Sequence, residues 1–156
     1  MIIEKKDDIM MKLPPIEKIP EAYTAIEDNR VELFDTYAIV KSSNYEKEYL
    51  IKWKDNVYYS NDNATYWQGY IGYPIIAVLM LKGELSLNKN IVKYFKNINW
   101  NKLNKENNRD YRKSLEQILV DVSDSERKLI EEEINKVYEE IKLLDIELTK
   151  KKNLDE

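Results

Sequence analysis

The chain contains no histidine and no cysteine. Without cysteine there is neither a disulfide nor a thiolate nucleophile. Without histidine the usual proton acceptor near neutral pH is missing. Ser-His-Asp and Cys-His nucleophilic systems and the common Cys/His zinc centres are excluded together. An enzyme built on this chain would work with carboxylates, Lys, Tyr or a hard cation, so the reading leans away from catalysis and expects no cofactor. Long apolar runs are scarce as well, and none approaches the ~20 residues of a membrane span. The opening MIIEKKDDIMMK places acids where an export signal carries its apolar core. A cytoplasmic protein with no membrane partner is expected.

What is present is enough for a real core: 43% of the 156 residues are apolar and 11% aromatic, with 35% charged and a net charge of -4. One domain is expected over 1–156. It would comprise a flexible arm (1–13), an α+β core (14–122) and a long amphipathic helix (123–152). Glycine is rare, and all three glycines fall in Tyr58–Gly83, YYSNDNATYWQGYIGYPIIAVLMLKG. Tyr73-Pro74 reads as a helix start and Gly83 as a left-handed C-terminal cap. The helix between them is apolar all round, which predicts enclosure on every side.

In chain order, Pro20 suits the first turn of a short helix ending near Asn29. Val31–Lys41 reads as one strand, Lys47–Lys54 alternates with Tyr49, Ile51 and Trp53 on one face, and Val57–Tyr59 returns after an Asp55-Asn56 turn. The expectation is a small three-stranded antiparallel sheet packed on a helical bundle, in an α+β fold. Helices follow near 88–97 and 109–122, separated by an Asn-rich irregular stretch. Ser123-Asp124-Ser125-Glu126 spells a capping box, opening a helix expected to run to about Lys150. Its residues Ile130, Ile134, Val137, Ile141, Leu144 and Leu148 alternate steps of four and three. That seam packs either on the 109–122 helix or on a second copy, and a homodimer is expected.

Charge is unevenly placed. Leu87–Ser114 holds six Lys and two Arg against Glu106 and Asp110, a net of +6 in an acidic chain. Tyr94, Phe95, Trp100 and Tyr111 interleave with the bases. Lys89, Lys93, Lys96, Lys102, Lys105, Arg109 and Arg112 are therefore candidate nucleic-acid contacts. A solvated lysine face over core aromatics is the competing account. Ile75–Ser86 and the helix after it resemble the opening of a helix-turn-helix domain, without a second turn to introduce a recognition helix.

The loop Tyr66–Tyr73 is a candidate ligand site through Tyr66, Trp67 and Tyr70, whose rings could stack on a base or sugar. It serves equally well as a structural turn. Asp55, Asn56, Asn61, Asp62 and Asn63 gather oxygen ligands but lack the central glycine and closing glutamate of a calcium loop. Glu48-Tyr49-Leu50-Ile51-Lys52-Trp53-Lys54 resembles the second-strand signature of chromodomains, small sheets with aromatic cages for methyl-lysine. Asp55 stands where that family has glycine, and no cage residue is carried over. The function expected is intracellular binding or scaffolding with self-association through the last helix. Nucleic-acid binding is the alternative, and an enzyme centred on the 58–73 loop is third.

Overall fold

The computed structural model describes residues 8–155. The first seven residues of the expected arm lie outside the described residues. The chain runs β1 (Asp8–Ile9), α1 (Lys18–Glu27), β2 (Val31–Leu33), β3 (Tyr37–Lys41), β4 (Glu48–Lys54) and β5 (Val57–Ser60). A π-helical turn (Ala64–Gln68) leads to α2 (Tyr73–Leu81), α3 (Lys89–Val92) with a 3-10 turn (Lys93–Phe95), and α4 (Trp100–Glu106). α5 (Tyr111–Ile118), α6 (Asp124–Lys142) and β6 (Glu147–Thr149) complete it.

The expectation of a small three-stranded sheet is overturned. The sheet has six strands in the order β1-β6-β5-β4-β3-β2. It is mixed, because β6 runs parallel to β5 while the other neighbours are antiparallel. Three features account for the difference. Val31–Lys41 is not one strand: it folds at Phe34–Thr36 into a hairpin in which Val31 faces Val40, with the rings of Phe34 and Tyr37 stacked at 4.6 Å across the turn. The second is β6, which lies in what periodicity assigns to helix. Strand β5 offers an unpaired edge, and Glu147–Thr149 fills it with Tyr58 opposite Leu148. The third is β1, which closes the outer edge of β6. Backbone groups at a sheet edge need partners, and that demand overrides a helical pattern.

The last helix therefore stops at Lys142 instead of reaching Lys150. Ile130, Ile134, Val137 and Ile141 are 0–6% exposed and lie in the same core as α1 and α2. Leu144 follows the helix, and Leu148 is buried in β6. Four of the six seam residues pack into the core from α6, Leu144 is half-buried beyond it, and Leu148 is buried in the sheet.

α2 is the centre. Residues Ile75 to Leu79 are 0% exposed, enclosed by α1, β2 and β4. Its C-terminus has the bonds of a Schellman motif, with Gly83 N–H donating to Met80 O at 3.1 Å and Glu84 N–H to Leu79 O at 2.9 Å. Gly83 takes φ 81° as the cap requires. Ala38, Val40, Ile51 and Tyr58 supply the sheet's side of that core. At the start of α6, Ser123 Oγ accepts from Glu126 N–H at 3.2 Å. The reciprocal half of the capping box is absent, since Glu126 instead accepts from Tyr94 Oη at 2.8 Å. The stretch read as irregular contains α4 because Asn99 caps it, its side chain accepting from Lys102 N–H at 3.1 Å. Among the described residues no helix is long and apolar enough to cross a membrane.

Candidate functional site

The turn after β5 is built around Asp62. Its carboxylate accepts from the Ser60 hydroxyl and, at 3.1 Å, from Thr65 N–H, which anchors the π-helical turn. Thr65 Oγ1 in turn accepts from Gly72 N–H at 3.0 Å. Gly72 has no side chain for a steric reason: a Cβ there would lie 2.1 Å from Asp62 Oδ2. The carboxylate thus nests against the residue that precedes α2, where the positive end of the helix dipole favours an anion. π-turns are uncommon and recur at functional sites.

This turn forms one wall of a cleft of about 340 Å³. Lys18 and Glu21 enter from α1, one helical turn apart on the same face and paired at 3.3 Å. Arg30 follows the helix after Asn29, whose φ of 56° turns the chain. Its Nη1 donates to Lys41 O at 2.7 Å, tying the end of α1 to β3. Ser42 and Ser43 come from the loop after β3, Tyr49 from β4, Tyr70 from the approach to α2, Tyr73 from its first turn, and Trp100, Asn101 and Arg109 from the α4 region. Lys105 and Arg109 continue the wall into a neighbouring groove shared with Glu17, Lys18 and Glu21.

Three ionisable side chains of this cleft are nearly closed off from solvent: Arg30 is 2% exposed, Asp62 5% and Glu21 9%. Burial raises the Glu21 carboxyl above its ordinary pKa, opposed by Lys18. Burial likewise raises Asp62, opposed by the bonds from Ser60 and Thr65. For Lys18, burial alone would lower the ammonium, but Glu21 outweighs it and the pKa is raised. The phenol of Tyr73 is raised by burial, with Arg30 opposing; the guanidinium lies 5.8 Å from the ring centroid. Tyr49 meets Tyr73 edge to face at 6.3 Å. The cleft thus combines protonatable carboxyls, fixed cations and aromatic walls. It can hold a small polar molecule by charge-assisted hydrogen bonds.

The sequence candidates separate in space. Of Tyr66, Trp67 and Tyr70, only Tyr70 lines the cleft. Tyr66 and Trp67 pack together at 4.8 Å under Lys150, whose Nζ lies 5.2 and 4.8 Å from their rings. Lys89, Lys93, Lys96, Lys102, Lys105, Arg109 and Arg112 are all exposed. Two of their interleaved aromatics are buried: Phe95 packs on Tyr23, and Trp100 stacks on the half-buried Tyr111 while its Nε1 donates to Thr24 at 2.9 Å. The Asx cluster is occupied by backbone bonds, with Asn61 accepting from Leu50 N–H and Asn56 donating to Asp145 O. Among the described residues no group of three or more acidic side chains is arranged to hold a metal.

Sequence reasoning missed Lys18, Glu21 and Arg30 as site residues. The available signal was composition. Lysine supplies nearly all the basic residues, so each of the four arginines, Arg30, Arg109, Arg112 and Arg127, marks a place where a guanidinium fork differs from an ammonium. Two of the four line this cleft. No curated protein and no solved structure matches the chain. A family model does match, over residues 11–147, a span that includes every residue of the cleft. The chain belongs to the family described as uncharacterised conserved protein UCP014422.

Proposed function

We propose that this protein binds a small polar molecule in the cleft between α1, the π-turn and α4. The observation that carries the reading is the burial of Glu21, Arg30 and Asp62 around a cleft of about 340 Å³. Buried charges stabilise a fold poorly, because desolvation offsets most of their attraction. A fold seeking stability alone would fill such a space with apolar side chains, as this one does around α2. The lining is mostly polar and charged, with Tyr49, Tyr70, Tyr73 and Trp100 adding aromatic surface, and the volume lies in the range of small-ligand sites. The test is a thermal-shift screen of a metabolite library, repeated on Ser43→Trp, which places a large ring at the cleft wall. Compounds that raise the melting temperature of the native chain are expected to lose their effect on the variant. Hits that survive Ser43→Trp, or none at all, defeat the reading.

The seven exposed basic side chains support a second reading, a sequence-neutral contact with nucleic acid. Phosphate-driven binding predicts retention on heparin at ~50 mM salt that falls steeply as salt rises. No retention removes it. With Phe95 and Trp100 buried, this contact keeps few stacking platforms, Tyr94 being half-exposed beside Lys93. Scaffolding by self-association finds no support, since the seam it needs is inside the core.

A further inference from the structure

We infer that the group this cleft receives is an oxyanion, a carboxylate or a phosphate, held by Arg30 with Arg109 at the rim. The inference rests on the small-ligand reading and specifies its chemistry. Charge accounting inside the cleft leads to it. Lys18 is answered by Glu21 at 3.3 Å. Asp62 is taken up by Ser60, Thr65 and the start of α2. Both carboxylates of the cleft are therefore committed. Arg30 is only partly answered: at 2% exposure it has one carbonyl bond, Tyr73 beside it and the field of Glu21 at longer range, but among the described residues no carboxylate within ion-pair distance. Its Nε–H, buried, has no hydrogen-bond partner.

A buried guanidinium without a counter-ion is costly. Here it borders a recess open to small molecules. An oxyanion entering that recess supplies the missing charge and matches the fork of the guanidinium with two oxygens, a geometry that Lys cannot reproduce. Arg109, exposed and without an ion pair among the described residues, stands on the same cleft wall. A neutral molecule would leave Arg30 without a close counter-ion, and a cation would face it. Tyr49, Tyr73 and Trp100 give a carboxylate attached to a ring apolar surface to lie on.

The experiment is a nitrogen–proton NMR titration of the full chain with inorganic phosphate and, separately, with benzoate. The arginine Nε–H resonance of Arg30 is assigned by its disappearance in Arg30→Lys. Saturable movement of that resonance with at least one of the two anions is expected. Arg109→Gln, an exposed substitution that spares the fold, should weaken the anion roughly tenfold, the loss of one charge-assisted bond. The phosphate and benzoate arms tell which oxyanion is preferred. Movement confined to surface lysine neighbours with Arg30 still overturns the inference, and so does binding unaffected by Arg109→Gln. If Arg30 ignores both anions while a neutral library hit moves Tyr49 and Tyr73, the oxyanion fails and the small-ligand reading stands. If nothing moves the cleft residues, both fall.

Discussion

At each end of α2 a cation lies against aromatic rings, and the two ends differ in what answers the charge. At the C-terminal end Lys82 Nζ sits 4.3 Å from the Trp53 ring centroid and 4.9 Å from that of Tyr58. Glu84 pairs with it at 3.2 Å, and the Tyr58 hydroxyl accepts from Lys82 while donating to Glu84 at 2.9 Å. The helix dipole also favours a cation there. Every term agrees. At the N-terminal end Arg30 faces Tyr73, the dipole favours an anion, and the carboxylates nearby are engaged elsewhere, Asp62 by its own turn and Glu21 by Lys18. The closed arrangement at Lys82 serves stability, whereas the open one at Arg30 borders a cleft. An unanswered buried charge next to a void is a better pointer to function than the charge itself.

The glycines at the two ends give the largest expected effects. Gly72→Ala forces a Cβ onto a buried carboxylate and should cost ~3 kcal/mol in a urea unfolding measurement, since overpacking and a broken buried network act together. Gly83→Ala meets nothing within 4 Å and loses only the ease of its positive φ, which should cost ~1 kcal/mol. Equal costs would break the contrast between a steric and a conformational glycine.

Next comes removal of the two cations. Lys82→Met strips two aromatic contacts and an ion pair and leaves Glu84 facing Tyr58, so it should cost ~1–2 kcal/mol. Arg30→Met without ligand loses one carbonyl bond and the Tyr73 contact but also removes a buried charge that has no close counter-ion, and should cost under ~1 kcal/mol. The same unfolding curves decide the order. If Arg30→Met proves the more damaging, Arg30 is a structural staple and the contrast fails.

The smallest effect is a pH slope. Burial holds the folded-state pKa of Glu21 above its ordinary value of 4.5, so the native state binds the proton more tightly than the unfolded chain. Stability contributed by this group is therefore present below pH 4.5 and is lost as pH rises through the folded value. Glu21→Gln should flatten the mildly acidic limb of stability against pH, by at most the slope of a single proton. An unchanged limb would mean that Lys18 fully compensates the burial of Glu21.

Much of the fold was legible where local chemistry acts alone. Pro74 and Gly83 bracket α2, Ser123 opens α6, and the alternation of Tyr49, Ile51 and Trp53 marks β4. Each is a statement about neighbours in the chain. The misses share the opposite character. β6 exists because Val57–Tyr59 present an edge about ninety residues upstream, and a three-residue strand has too little periodicity to announce itself. The cleft was illegible for the same reason. Lys18, Arg30, Asp62 and Arg109 come from four separate segments, and none stands out until α1, the π-turn and α4 converge.

Composition alone determined which chemistries are closed to this protein, since a side chain that is absent cannot be supplied by folding. Periodicity and capping alone determined the central helix and where the last helix begins, because those depend on residues within a turn or two. Only the tertiary structure decided that the sheet has six strands, that the heptad seam packs into the chain's own core, and that Arg30 is buried with no carboxylate at ion-pair distance among the described residues. Burial, edge pairing and charge balance are sums over residues far apart in sequence, and only the folded chain brings those residues together.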